Sequence, residues 1–113
     1  MSRILVCGGR DYDDYHRMAE VFVDHVYPGD VIIHGDARGA DRLSERVAQP
    51  DWVTFERYPA DWEKYGKAAG PIRNQQMLDE GRPDYVLAFP GGKGTRDMVE
   101  RAKKAGIKVV EVE

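Results

Sequence analysis

Three glycine-rich segments carry the residues of this chain that could do chemistry. They are Gly8–Asp11, His34–Asp41 and Pro90–Thr95. Glycine lets the backbone approach a ligand closely, and the free amides of a helix N-terminus point at an anion. One such segment would indicate little, because strand-to-helix turns need glycine in any case. Three of them, with arginine and lysine interleaved, predict recognition of a phosphate group.

The segments receive different roles in the predicted site. We expect phosphate at Gly91–Thr95, where Thr95 would lie at or near a helix cap, with positive charge added by Lys93, Arg10 and Arg73. The segment Gly35–Asp41 is expected to contact a sugar or a base. The predicted ligand-binding residues are Gly8, Gly9, Arg10, Gly35, Asp36, Arg38, Gly39, Asp41, Arg73, Asn74, Pro90, Gly91, Gly92, Lys93, Gly94 and Thr95.

The aspartates of the second segment have two interpretations. Asp36 and Asp41 could accept hydrogen bonds from ribose hydroxyls or act as acid or base, and they could equally cap a helix or pair with a neighbouring arginine. His34 is close to both in sequence, but a second histidine or cysteine at ligand spacing is missing, so no metal site is predicted. Neither GxxxxGK(S/T) nor a GxGxxG after the first strand is present, and no cofactor is predicted.

The segment 70–77 places Arg73 and Asn74 in what the sequence predicts as the first turn of a helix that begins near Pro71. The helix dipole disfavours a cation there. Arg73 therefore indicates either a ligand contact or an ion pair with one of the acidic residues, and the sequence leaves both interpretations open.

Five short apolar runs, rich in β-branched residues and nearly continuous, predict strands buried on both faces of a parallel sheet. Helical spacing of apolar residues between the runs gives the order βαβαβαβαβ. We therefore predict one α/β, Rossmann-like domain over residues 1–113. Its doubly wound five-stranded parallel sheet would have the order 3-2-1-4-5, with helices on both faces. The predicted strands are Ile4–Cys7, Val31–Ile33, Val53–Phe55, Tyr85–Phe89 and Val109–Val112.

The longest connection, Tyr58–Gly70, is interpreted as an ordered functional loop, with an irregular connection as the alternative. Trp62 within it could serve packing or base stacking. In a parallel sheet of this kind, ligands bind beyond the carboxyl ends of the strands, where the strand order reverses. That rule is the reason to look for the site in the residues that follow each strand.

Bulk composition narrows the class of protein. The 113 residues carry a net charge of −3, and a single cysteine, Cys7, lies in the first apolar run. A lone buried thiol fits a reducing compartment, so we expect a cytoplasmic protein. An acidic chain argues against general binding of nucleic acids, whose phosphates favour a basic surface. No apolar run is long enough for a membrane span, and no membrane association is expected.

Four blocks of this sequence resemble the SLOG superfamily, in particular its branch of small YspA-type, YpsA-related domains. They are Gly8-Gly9-Arg10, GDARGAD at 35–41, PADWEKYGKAAGPIRNQQM at 59–77 and AFPGGKGT at 88–95. The resemblance implies a Rossmann-like fold and a ligand derived from a nucleotide. Related families include the Lonely-guy phosphoribohydrolases, which cleave an N-glycosidic bond, and DNA-processing protein A.

The phosphoribohydrolases use a PGGxGTxxE motif with a catalytic glutamate, and an arginine in an RKxxM segment. Arg73 matches that arginine, Asn74 replaces the lysine, and Met98 stands where the glutamate would be. A thioether cannot move a proton or stabilise an oxocarbenium ion.

We therefore expect a domain that binds or senses a nucleotide derivative. One alternative is an N-glycosidic or phosphoribosyl hydrolase, with Arg73, Asp36 or Asp41 as catalytic candidates and Asp97 as a further substitute for the glutamate. Another alternative is an adaptor that binds single-stranded DNA. Homo-oligomerisation is expected as well, through a helix such as the one spanning Tyr15–Val26.

Overall fold

A computed structural model describes residues 1–48 and 51–113. Strands and helices alternate along the described chain, and the short third helix is followed by a 3-10 turn over Gly66–Ala68. The elements are β1 (Arg3–Cys7), α1 (Tyr15–His25), β2 (Val31–His34), α2 (Ala40–Val47), β3 (Thr54–Arg57), α3 (Trp62–Tyr65), α4 (Ala69–Gly81), β4 (Tyr85–Ala88), α5 (Lys93–Lys104) and β5 (Lys108–Glu111).

The five strands form one parallel sheet in the order β3-β2-β1-β4-β5, which confirms the predicted architecture. The chain leaves β1 towards β2 on one side, and it leaves β4 towards β5 on the other. The strand order therefore reverses between β1 and β4, whose pairing runs from Ile4 opposite Tyr85 to Cys7 opposite Ala88. Between the carboxyl ends of these two strands the connections diverge and leave room for a ligand.

Alternate side chains of each central strand enter two separate cores. Ile4 and Val6 of β1 pack in the core on the side of α1 and α2. Leu5 and Cys7 pack in the core on the side of α4 and α5. This alternation is the period of an extended strand, and burial on both faces explains why the strands are continuous apolar runs.

The structure corrects several predicted boundaries. β3 extends to Arg57, and its charged residues are tolerated because it is an edge strand with half-exposed side chains. β2, β4 and β5 each differ from the prediction by a single residue at one or both ends, the usual uncertainty of strand limits.

The predicted loop over Tyr58–Gly70 is largely helical, since α3, the 3-10 turn and the start of α4 occupy residues 62–70. Asp61 accepts a hydrogen bond from the Lys64 amide at 3.1 Å and so caps α3. Because α4 begins at Ala69, Arg73 and Asn74 lie in its second turn. The dipole argument made for them from the sequence was therefore wrong.

Cys7 is buried, as the sequence predicted, and burial raises the pKa of its thiol well above the usual range. Within the described ranges, no helix combines the length and the apolar character that crossing a membrane would require.

Candidate functional site

A cavity of about 680 Å³ lies at the carboxyl ends of β1 and β4, where the strand order reverses. Five parts of the chain line it: the turn after β1, Ala37 in the loop after β2, the start of α2, the run from α3 through α4, and the first two turns of α5 with their N-cap. Its lining residues include Gly8, Gly9, Arg10, Asp41, Arg73, Asn74, Gly92, Lys93, Gly94 and Thr95, all of which the sequence predicted as ligand contacts.

The N-terminus of α5 opens into this cavity. Gly92 is the N-cap, no side chain caps the helix, and the first turn contains no acidic residue. The first amides of the helix are therefore left for a ligand or for water. Thr95 was predicted at or near the cap and is the third residue of the helix, in its first turn; the helix starts two residues before it, at Lys93.

Close backbone contacts hold the turn after β1 against the start of α5. The amide of Gly9 donates a hydrogen bond to the carbonyl oxygen of Pro90 at 2.9 Å. A Cβ at Gly91 would lie 2.6 Å from the Gly9 nitrogen and would overlap Thr95 Oγ1. Gly91 therefore has a packing role: it lets two strand-end turns meet beside the cavity.

Arg73 reaches from α4 to the loop after β2. Its Nη1 donates to the Gly35 carbonyl oxygen at 2.7 Å, and its Nε donates to Asn74 Oδ1 at 3.2 Å. Burial lowers the pKa of Arg73, Asp41 opposes that change, and the nearby charge of Arg10 adds to it. The guanidinium lines the cavity and also supports the protein's own backbone.

Asn74 is buried and connects α4 to α5. Its Nδ2 donates to Asp97 Oδ2 at 3.0 Å and to the Gly94 carbonyl oxygen at 3.2 Å. Arg101 Nε donates to the same Asp97 oxygen at 2.8 Å. These contacts fix the Asp97 carboxylate at the wall of the cavity.

Asp41 organises the loop between β2 and α2. Its Oδ2 accepts hydrogen bonds from the amides of Gly35 and Ala37, at 3.1 and 3.3 Å. Burial raises the pKa of Asp41, and the neighbouring His34, the two amides and Arg73 counteract that rise. One oxygen of this carboxylate is therefore already used inside the protein, although its side chain borders the cavity.

Several predicted ligand residues lie outside the cavity. Asp36 has a left-handed backbone with φ of +54°, and its carboxylate lies 3.7 Å from Arg42 Nε. Arg38 is exposed and pairs with Asp11 at 3.4 Å. The residues outside the lining are Gly35, Asp36, Arg38, Gly39, Pro90 and Gly91.

His34 is fully buried, with Nε2 2.6 Å from Glu45 Oε2 and Nδ1 accepting the Asp36 amide at 3.0 Å. Both ring nitrogens are therefore occupied by protein groups. In the ranges 1–48 and 51–113, no three histidine, cysteine, aspartate or glutamate side chains form a group that could hold a metal ion.

Trp62 and Lys67 line the cavity but were not among the predicted ligand contacts, and for Trp62 the sequence left packing and base stacking open. The Arg10 Cζ lies 5.2 Å from the centre of the Trp62 ring, within the range of a cation–π contact. Both residues come from the segment that was interpreted as a loop. Asp61, of a residue type favoured at N-caps, was the signal that could have predicted the helix on which Trp62 lies.

Comparisons with known proteins show the family of this chain. Residues 2–65 match the model of a family described as the YspA, cpYpsA-related SLOG family. The chain belongs to this family. It is also similar to the Gene 61 protein of Mycobacterium phage D29, with 40% identity over 123 aligned positions that cover 97% of this chain and 95% of that protein. Membership in the SLOG family indicates a nucleotide-related function, either binding or hydrolysis.

Proposed function

We propose that this SLOG protein binds a phosphorylated nucleoside or a close derivative in the cavity, with the phosphate at the start of α5. The observation that carries the proposal is that the uncapped N-terminus of a 12-residue helix and a set of cationic side chains face one cavity. Amides at a helix N-terminus and nearby cations are the groups that hold phosphate in α/β proteins.

The charges around the cavity favour an anion. Its lining contains four basic residues, Arg10, Lys67, Arg73 and Lys93, in a chain whose net charge is −3. Among the residues that the structure describes, no ion pair involves Arg10, Lys67 or Lys93. These three side chains can therefore turn to a ligand without first breaking a contact with a carboxylate.

Each of the two carboxylates of the lining accepts hydrogen bonds from donors, which offsets part of its repulsion of an anion. Asp41 accepts two backbone amides, and Asp97 accepts from Asn74 and Arg101. The volume is also suitable, since cavities of roughly 300–1,000 Å³ hold small organic ligands. Sensing, sequestering or delivering such a ligand would be the role of a domain of this kind.

The first test is a thermal-shift screen with AMP, GMP, CMP, UMP, cyclic nucleotides, ADP-ribose and ribose 5-phosphate, with the compounds recovered afterwards and examined by mass spectrometry. A ligand that raises the midpoint of unfolding and returns intact supports binding without turnover. Failure of every phosphorylated compound to stabilise the protein would contradict the proposal.

A matched pair of arginine variants then locates the phosphate. Arg10→Ala is expected to weaken binding of the best ligand by about 1.5–3 kcal/mol, the range for hydrogen bonds to charged groups. Arg38→Ala, which also follows a strand but lies outside the cavity, is expected to leave the affinity unchanged. Equal losses in the two variants, measured by calorimetry, would show that the cavity is not the site.

A second candidate function, hydrolysis of an N-glycosidic bond, is favoured by one observation. Asp97 lines the cavity beside Met98, the position that matches the catalytic glutamate of the phosphoribohydrolases. Its Oδ2 is held by Asn74 and Arg101, and Oδ1 makes no hydrogen bond to the described part of the chain. Slow release of free base from a nucleotide, lost in Asp97→Asn, would establish this activity.

A further inference from the structure

The cavity has two chemically different parts. The start of α5 and the basic side chains form its charged part. Its floor is apolar, because Cys7, Met77 and Met98 line it and are all buried. A ligand that fits both parts has an anionic group and, away from it, a flat or apolar group.

Trp62 stands at the rim of the cavity and is 48% exposed. It belongs to a four-residue helix that contains no buried residue, so its indole ring contributes little to either core. The ring edge at Cη2 lies 3.4 Å from where a Cβ on Gly70 would be, which places it against a position without a side chain. Exposure alone does not distinguish this residue, since Trp52 is 57% exposed and does not line the cavity.

The ring of Trp62 has a partner that a ligand can replace. The Arg10 guanidinium lies over it with 5.2 Å between Cζ and the ring centre, and Arg10 forms no ion pair within the described residues. A nucleobase presents the same kind of flat surface as a guanidinium and stacks on an indole ring. Arg10 itself lines the cavity and carries the charge that a phosphate attracts.

We propose that Trp62 is the residue that recognises the base. Its indole ring stacks on the aromatic group of the bound molecule, which replaces the Arg10 guanidinium over the ring, and Arg10 then contacts the phosphate. This inference rests on the proposed function and adds to it, because it makes the ligand a phosphorylated compound with an aromatic base and not a sugar phosphate alone.

The test separates the base from the phosphate by using two kinds of probe. The four nucleoside 5′-monophosphates AMP, GMP, CMP and UMP contain both groups, and ribose 5-phosphate contains only the second. Affinities are measured by calorimetry for the unaltered protein and for Trp62→Ala, Trp62→Phe and Trp52→Ala. In a Trp52→Phe background the fluorescence of Trp62 alone is followed during each titration.

We expect Trp62→Ala to weaken the tightest nucleotide by about tenfold to a hundredfold, the range for the loss of one stacked base. The affinity for ribose 5-phosphate should change by less than about twofold, since it has no base to stack. Trp62→Phe should retain most of the nucleotide affinity, and Trp52→Ala all of it. Nucleotides should quench the fluorescence of Trp62, and ribose 5-phosphate should not.

The contrary results distinguish the two proposals. If ribose 5-phosphate binds as tightly as every nucleotide, or if Trp62→Ala weakens both kinds of probe equally, the recognition of a base by Trp62 is wrong and the phosphate site stands. If neither kind of probe binds the unaltered protein, both proposals are wrong. The midpoint of thermal unfolding of each variant shows whether the exposed position 62 can be changed without loss of the fold.

Discussion

The loops after β2 and β4 look alike in sequence but differ in how their polar groups are used. In the loop after β2, residues 35–39, the amides of Gly35 and Ala37 bond to Asp41, and the Gly35 carbonyl oxygen accepts from Arg73. In the loop after β4, residues 89–92, the chain leads into a helix whose N-terminus no side chain caps. The polar groups of the first loop are hydrogen-bonded within the protein, whereas the second loop leads to free amide donors at the cavity.

This difference shows that a loop rich in glycine and charge is not by itself a binding loop. A buried carboxylate can satisfy the same amides that a phosphate would satisfy. Which of the two occurs depends on whether an acidic residue from the following helix reaches back to the loop. Asp41 does so from the first turn of α2, while the first turn of α5 contains no acid.

The largest effect is expected for Gly39, which belongs to the loop after β2. Gly39 has φ of +83°, and a Cβ there would overlap the backbone of Gly9 and Arg10. Gly39→Ala should lower the free energy of unfolding by about 3 kcal/mol or more in urea titrations. Gly29 is the matched control because its φ is +93° with open space around it, and Gly29→Ala should lose only about 1 kcal/mol. Equal losses would show that contact at Gly39 adds nothing to backbone strain.

Removal of the Asp41 carboxylate should have the next largest effect. Asp41→Ala leaves the amides of Gly35 and Ala37 without their acceptor, and we expect a loss of about 2 kcal/mol of unfolding free energy. Asp41→Asn retains a carbonyl oxygen of similar position and should lose clearly less. If the alanine variant unfolds at the same urea concentration as the unaltered protein, Asp41 does not organise this loop.

Gly94 lies in α5, the helix that follows the loop after β4, and its substitution is expected to raise the stability of the fold. It lies inside α5, lines the cavity, and a Cβ there would meet no atom within 4 Å. Gly94→Ala should therefore raise the unfolding free energy by about 0.5–1 kcal/mol and at the same time weaken nucleotide binding. A variant that is more stable and binds equally well would place the ligand away from the first turn of α5.

The smallest effect is expected for the decrease in folding stability at acid pH. It concerns Glu45, which contacts His34 at the end of β2. The hydrogen bond from Arg57, with further help from His34, lowers the pKa of Glu45 below its usual 4.5. A lowered folded-state pKa gives stability that is present above pH 4.5 and is lost as the pH falls through the folded value. Glu45→Gln should therefore flatten the decrease in stability below pH 4.5. Glu20→Gln, exposed and outside any ion pair of the described residues, serves as the control, and identical pH profiles for the two variants would contradict the expectation.

The sheet could be predicted from sequence because its signal is local. Strands such as Val31–His34 are apolar on both faces, and the helical spacing between them indicates right-handed crossovers. The segment 62–70 could not be predicted in the same way. α3 and the following 3-10 turn contain no buried residue, so they leave no apolar periodicity in the sequence.

The lining of the cavity was predictable where it follows from strand ends, as for Gly8, Arg10 and Gly92–Thr95. Asp36 and Arg38 lie outside the lining, where Asp36 has Arg42 as its neighbour and Arg38 pairs with Asp11. The sequence left pairing with a neighbouring arginine open for Asp36, because residue type and spacing alone do not decide between pairing and a place in the cavity wall.

The comparison between the two loops can be tested directly by following backbone amides in NMR spectra while a nucleoside monophosphate is added. We predict the largest shifts at Gly92, Lys93, Gly94 and Thr95, because their amides would receive the phosphate, and only small shifts over residues 35–39. Large shifts at 35–39 with no change at 92–95 would contradict phosphate binding at the start of α5 and would make the loop after β2 the binding loop.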